Sequence, residues 1–199
     1  MKSSSPSLLP LLRSRTQGDI IAWIVLHPEN EYSLVEIAEH VGVSPATVMR
    51  EVDRLADAGL VTETRRGNTR LVKAAQDNPV FRPLAELMAA TFGPVPVLKE
   101  LLAGLDGVEE AFIYGSYADR YEGNAGRVPN DVDVIVVGST DADELFDVEE
   151  RASRALGREV NIRKVRPAAW RDESSKDSFR ETVLSRPMIA LIERGAGDA

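Results

Sequence analysis

The stretch SLVEIAEHVGVSPATVMREVDRLADAGL, residues 33–60, decides how the first half of this chain folds. Ser33 stands where a helix needs its N-cap, and Leu34, Ile37 and Ala38 then recur on one side of the following turns. Val41-Gly42-Val43 reads as a turn. Ser44-Pro45 is a second N-cap followed by proline at the first helical position, where its missing N–H costs nothing. The helix it opens runs to Ala58 with Val48, Val52 and Leu55 turned inward, and Gly59 stops it.

Working outward, residues from Gln17 carry Ile20, Ile21, Ile24 and Val25 at helical spacing. Downstream, Leu60–Thr64 and Thr69–Ala74 are two β-like runs around Arg65-Arg66-Gly67-Asn68, a hairpin with a basic tip. Helix, helix, turn, helix and hairpin in this order predict a winged helix-turn-helix over residues 15–76. In such a unit the second helix of the pair lies in the major groove and its early residues face base edges. Those residues are Ser44, Ala46, Thr47, Arg50 and, further along, Glu51 and Arg54, the positions left over once the apolar face is turned inward. Ala46 and Thr47 allow close approach, and Arg50 reaches a guanine or a phosphate. Arg65, Arg66 and Arg70 on the hairpin suit a phosphate or minor-groove contact, although a basic turn is also often merely solvated.

Residues Ser33–Ser44 and the continuation Leu55-Ala56-Asp57-Ala58-Gly59-Leu60-Val61 resemble the winged helix-turn-helix regulators of the ArsR and MarR type. The resemblance implies a DNA-binding regulator acting as a homodimer on two half-sites of double-stranded DNA. Winged helices also serve as protein-interaction or dimerisation modules, which is the alternative for this segment.

Composition narrows the rest. The chain has 199 residues, no cysteine and two histidines, His27 and His40. A disulfide scaffold, a thiolate metal site and cysteine catalysis are excluded. His40 reads as a surface or half-packed helix residue, with a base contact as the alternative. No apolar run approaches the ~18 residues of a membrane span, and the first residues lack the apolar core of a signal peptide, so a cytoplasmic protein without a membrane partner is expected. Met1–Lys73 carries 9 Lys+Arg and 9 Asp+Glu, while Ala74–Ala199 carries 15 and 23 and so the whole net charge of −8. Only the first segment escapes the acidity that repels nucleic acid. Residues 1–14, rich in Ser, Pro and Arg, are expected to be a flexible tail, with an arm to DNA or a dimer partner as the alternative. Residues 77–94 are expected to form a linker helix.

From residue 95 to 199 strands alternate with helices, which makes the chain α+β overall. Strands are expected at Val108–Tyr114, Val132–Val137 and Glu159–Val165, helices at Pro96–Leu105 and Asp141–Leu156. Helical residues follow to about Leu184, including Trp170 and Phe179 as core residues, and then a last apolar run, Met188–Ile192. The first strand ends in Gly115-Ser116, a turn able to expose backbone N–H groups to a phosphate. After the spacer Tyr117–Asn130 comes Asp131-Val132-Asp133, opening the next strand. Residues i and i+2 of a strand share a face, so both carboxylates project together and call for a counter-charge. A hard divalent cation, Mg2+ or Mn2+, supplies it and also grips nucleotide phosphates.

Gly115-Ser116, the spacer and Asp131-Val132-Asp133 resemble the signature of the DNA polymerase beta-like nucleotidyltransferases, in the minimal group of that superfamily. The run Gly115–Gly123 through Pro129–Val134 looks like a bacterial family that fuses a winged helix to such a small mixed-sheet domain. The resemblance implies that Asp131 and Asp133 hold metal at a nucleoside triphosphate and that Gly115 and Ser116 grip its outer phosphates. Arg120 and Arg127 are further candidates for phosphate contact. It also implies a third carboxylate on a later strand, but Asn161 stands where that aspartate falls. An amide neither accepts a proton at neutral pH nor supplies charge. Glu159, two residues earlier on the same face, is the substitute.

The resulting expectation is a DNA-binding transcriptional regulator whose C-terminal domain binds a nucleoside triphosphate with Mg2+. The alternative is an active nucleotidyltransferase working on a protein or small-molecule hydroxyl with Asp131, Asp133 and Glu159 as catalytic residues, including an antitoxin acting on a toxin partner. A third reading is an interaction scaffold with both sites degenerate.

Overall fold

The computed structural model describes residues 12–122, 129–172 and 178–194, which form two compact units dividing after Gly93. Arg127 and the first eleven residues of the expected tail lie outside the described residues.

The N-terminal unit begins with α1 (Arg15–Leu26), whose first turn is capped by the Ser14 hydroxyl accepting the Gln17 N–H at 3.1 Å. A two-residue strand β1 (Tyr32–Ser33) leads into α2 (Leu34–Val41). Ser33 and Glu36 form a capping box: the Ser33 hydroxyl accepts the Glu36 N–H, and the Glu36 carboxylate accepts the Ser33 N–H at 2.7 Å. These bonds hold the Glu36 carboxyl below its ordinary range. Gly42, at φ +73, closes the turn; its own N–H and that of Val43 both reach the Ala38 carbonyl. Helix α3 (Pro45–Asp57) follows, then the hairpin β2 (Val61–Arg66) and β3 (Thr69–Ala74). The sheet order is β1-β3-β2, all antiparallel.

The core of this unit gathers Ile20, Ile24, Ile37, Val48, Val52 and Val72, each at most 1% exposed. Helix α4 (Phe81–Phe92), expected as a connection between the halves, contributes Met88 to this same core. It passes so close to α1 that a Cβ on Gly18 would lie 2.4 Å from the Phe92 ring. The hairpin also differs from the expected one. Strand β2 runs through Arg65 and Arg66, which pair with Arg70 and Thr69, so the turn is Gly67-Asn68 alone.

The C-terminal unit comprises α5 (Pro94–Leu102), β4 (Val108–Tyr114), α6 (Gly115–Tyr121), β5 (Asp131–Gly138), α7 (Ala142–Leu156), β6 (Glu159–Val165), α8 (Pro167–Arg171), α9 (Ser178–Leu184) and β7 (Ile189–Ile192). Its sheet has the order β6-β5-β4-β7, with β5 and β6 parallel and the other pairs antiparallel. Alternation along β5 sends Val132, Val134 and Val136 to one face, where they pack with Leu98 and Leu102 of α5 and Leu145, Val148 and Ala152 of α7. Ile135 and Val137 point to the other face, covered by Trp170 of α8 and Val183 of α9 with Phe112, Tyr114 and Phe179 packed alongside. The molecule is thus α+β, with a winged-helix unit at the N-terminus.

Candidate functional sites

In the N-terminal unit the buried face of α3 is Val48, Val52 and Leu55, so Ala46, Met49, Arg50, Asp53 and Arg54 are exposed. Ser44 is occupied with the helix start. Its hydroxyl accepts the Thr47 N–H at 3.2 Å and lies 3.0 Å from the Thr47 hydroxyl. Thr47 receives a further long contact from the Arg50 guanidinium at 3.5 Å. Ala46, Met49 and Arg50 therefore form the open part of the helix surface. Sequence reasoning passed over Met49, whose position three residues after Ala46 on the outward face was the available signal. Its side chain suits a thymine methyl group.

Three of the remaining arginines expected at DNA, Arg54, Arg66 and Arg70, are tied to carboxylates. Glu51, with only 15% of its side chain exposed, accepts from Arg54 at 2.7 Å, from Arg13 at 2.9 and 3.0 Å, and from Gln17 at 3.2 Å. Arg66 reaches Glu31 at 2.8 Å. Arg70 donates to Asp53 of α3 at 2.6 Å and to Glu63 of β2, with 21% of its side chain exposed. The bond to Glu63, followed by that to Asp53, holds the guanidinium in its charged form. Arg70 thereby fastens the hairpin to α3. The Arg65 side chain makes no hydrogen bond or ion pair among the described residues, and with Arg50 it is a cation not spent on a carboxylate.

In the C-terminal unit Asp131 and Asp133 project from the face of β5 that carries Ile135 and Val137. Register places Tyr114 opposite Asp133 on one side and Asn161 on the other, with Glu159 beside Asp131. The Asn161 amide donates to Asp133 Oδ1 at 3.4 Å. Gly115 takes φ +74, and a Cβ there would lie 2.9 Å from Asp133 Oδ2, so this close approach needs glycine. Burial pushes the Asp133 carboxyl above its ordinary range, and the neighbouring charge of Asp131 pushes in the same direction; the Asn161 bond partly offsets them and Glu159 adds to them. Burial, followed by the Asp133 charge, likewise raises the Tyr114 phenol. Ser116 and Arg120 are exposed on α6. Two residues beyond Asn161, the Arg163 guanidinium stacks 3.6 Å over the Phe179 ring, which meets Tyr114 edge-on at 5.8 Å. Neither Tyr114 nor Arg163 was visible as part of this surface in the sequence, because strand register brings them there.

A hard divalent cation is the natural counter-charge for such a donor set. Asp131 and Asp133 offer charged oxygens on one face, which suits a single ion. Among the described residues no three His, Cys, Asp or Glu side chains converge as a metal cluster, so Glu159 does not complete a three-carboxylate site. The arrangement offers two carboxylates to a single ion, with no third one joining them among the described residues.

Residues 13–70 match the sequence profile of the MarR family. Among solved structures, the chain is similar to the zinc-responsive MarR family member ZitR of Lactococcus lactis (23% identity, 40% of this chain and 54% of that one, TM-score 0.33). It is also similar to BldR, a transcriptional regulator from Sulfolobus solfataricus (22% identity, 51% and 70%, TM-score 0.38). A third likeness is to MepR, a transcription regulator of the Staphylococcus aureus multidrug efflux pump MepA (14% identity, 42% and 60%, TM-score 0.35). The chain spans about half the length of the ZitR chains that it matches. Among the described residues no helix is long and apolar enough to cross a membrane. The N-terminal part of this chain is a MarR-family winged helix-turn-helix domain.

Proposed function

We propose that this chain is a DNA-binding transcriptional regulator that reads double-stranded DNA with α3 and the β2–β3 hairpin, as a homodimer on two half-sites. The observation that carries this reading is the outward surface of α3, where Ala46, Met49 and Arg50 stand clear of the core beside a hairpin bearing Arg65. Arg50 has the reach for two hydrogen bonds to a guanine, Met49 for a methyl group, and Arg65 for a phosphate. Arg54 and Arg66 join only by exchanging Glu51 and Glu31 for phosphate oxygens. The test is fluorescence anisotropy of the full chain on its own upstream DNA against scrambled DNA at two salt concentrations. Specific binding that weakens with salt and with Arg50→Ala supports the reading. Equal affinity for both DNAs, unchanged by Arg50→Ala, overturns it.

A second reading concerns the C-terminal unit, favoured by two carboxylates sharing one face beside the positive-φ Gly115. In this reading the unit binds a nucleoside triphosphate with Mg2+ or Mn2+, Asp131 and Asp133 holding the ion, and Ser116 and Arg120 standing at the phosphates. The ion, when bound, neutralises phosphate charge. Asn161 beside Asp133 favours binding without transfer over a nucleotidyltransferase or an antitoxin modifying a toxin. Calorimetry with Mg2+-ATP separates the cases: binding lost in Asp131→Asn and Asp133→Asn supports it, and no Mg2+-dependent heat removes it.

A further inference from the structure

Helix α7 lies on the face of the C-terminal sheet opposite to Asp131 and Asp133. It buries Leu145, Val148 and Ala152, yet leaves Phe146 60% exposed. A single exposed apolar side chain needs no explanation by itself and gains one only when it borders an apolar groove. It does so here. A groove of about 210 Å³ runs between α7 and β6, lined by Ala142, Leu145, Phe146, Glu149, Ile162 and Lys164.

Two features select the occupant. First, β6 is an edge strand, but its outward N–H groups at Val160 and Ile162 are already accepted by Ser153 Oγ at 3.0 Å and Glu149 Oε2 at 2.8 Å. Addition of another strand along this stretch is blocked, which leaves side-chain insertion from a helix. Second, Asp143 and Glu150 stand one turn to either side of Phe146, both exposed. The groove's own cation is engaged: Lys164 Nζ donates to the Thr140 carbonyl. Glu150 has only a long, exposed contact to Arg154 at 3.7 Å. The rim is therefore negative around an apolar centre, in the half of the chain that carries all of its net charge.

We propose that the α7–β6 groove is a docking surface for a basic amphipathic helix of a partner protein, which seats an apolar side chain against Phe146 and its cations on Asp143 and Glu150. The surface is separate from both the DNA-reading face and the acid pair, so their failure leaves it standing.

The experiment uses the full chain and a fluorescein-labelled model peptide of alternating Leu and Lys in helical spacing, with the same peptide carrying Glu for Lys as control. Anisotropy should show binding of the Lys peptide only. Phe146→Ala, an exposed position, should weaken it by about tenfold, as expected for an aromatic anchor, and Asp143→Lys with Glu150→Lys by a similar factor. Asp106→Asn, at an exposed acid outside the groove lining, should leave it unchanged. Affinity insensitive to Phe146→Ala would mean attraction to net charge alone and overturns the proposal, as does failure of the Lys peptide to bind. A dimer that light scattering shows to dissociate on Phe146→Ala would give the groove to a second copy and overturn it equally.

Discussion

In the N-terminal unit, carboxylates near the reading surface are matched with cations: Glu31 with Arg66, Glu51 with Arg13 and Arg54, Asp53 and Glu63 with Arg70. In the C-terminal unit Asp131, Asp133 and Glu159 gather at neighbouring strand positions with no ion pair among the described residues. The same residue types do opposite work. In the first unit acid and base are spent on each other to set the positions of helix and hairpin, leaving Arg50 and Arg65 without a carboxylate partner among the described residues. In the second the charge stays unbalanced, which costs stability.

The largest expected effect is on DNA reading. Arg50→Ala should lower affinity for a specific site by about 10- to 100-fold, the range for losing a bidentate base contact, while affinity for scrambled DNA changes far less. An equal loss on both DNAs would make Arg50 a phosphate contact.

Next comes the fastening of hairpin to helix. Arg70→Ala leaves Asp53 and Glu63 facing each other, and should destabilise the N-terminal unit by about 1 kcal/mol, a fall of roughly 4–8 °C in Tm. A double-mutant cycle with Asp53→Asn should give a coupling of about 0.5–1 kcal/mol. Additive effects would mean that the bridge contributes nothing.

The opposite sign is expected in the second unit. The folded-state pKa of Asp133 is raised by burial and by Asp131, so the folded state binds this proton more tightly than the unfolded chain. Its contribution to stability is present below the ordinary carboxylate pKa of about 3.9 and is lost as pH rises through the raised value. Asp133→Asn should therefore raise Tm at pH 7 by a few degrees, with the gain vanishing in acid. A loss of Tm at pH 7 would show that the pair is balanced after all.

The smallest effect is at His40, which stacks on Trp23 with ring centroids 3.4 Å apart. Burial and the neighbouring His27 lower its pKa, so the stability it contributes is present above the ordinary imidazole value of about 6.5 and lost as pH falls through the folded value. Tm should drop slightly between pH 7 and 5, and His40→Phe should flatten that drop. An identical pH profile in the variant would remove His40 from the account.

Much of the fold was legible because its signals are local. Ser33, and Ser44 with Pro45, announce helix starts through caps that need only neighbouring residues. Alternation along residues 131–137 announced that both aspartates share a face, because a strand has period two. What could not be read depends on register and distance. Strand β1 has two residues and exists only through pairing with Leu71 and Val72. Arg70 looked like a DNA contact because its partner Asp53 lies 17 residues away on another element. Tyr114, Arg163 and Phe179 reach the acidic face through strand pairing and packing, which no spacing announces. Exposure of Phe146 was likewise hidden, since an apolar residue in a helix is by default assigned to the core.

The most direct test of the central claim is selection of DNA fragments from a random-sequence pool by the full chain, followed by sequencing of what is retained. A regulator that reads DNA through α3 should enrich a two-fold symmetric motif whose half-sites lie about one helical turn apart. Arg50→Ala should erase the preference at one guanine of each half-site while retaining the rest. A pool that stays random after repeated rounds, for the native chain as for the variant, would contradict the account.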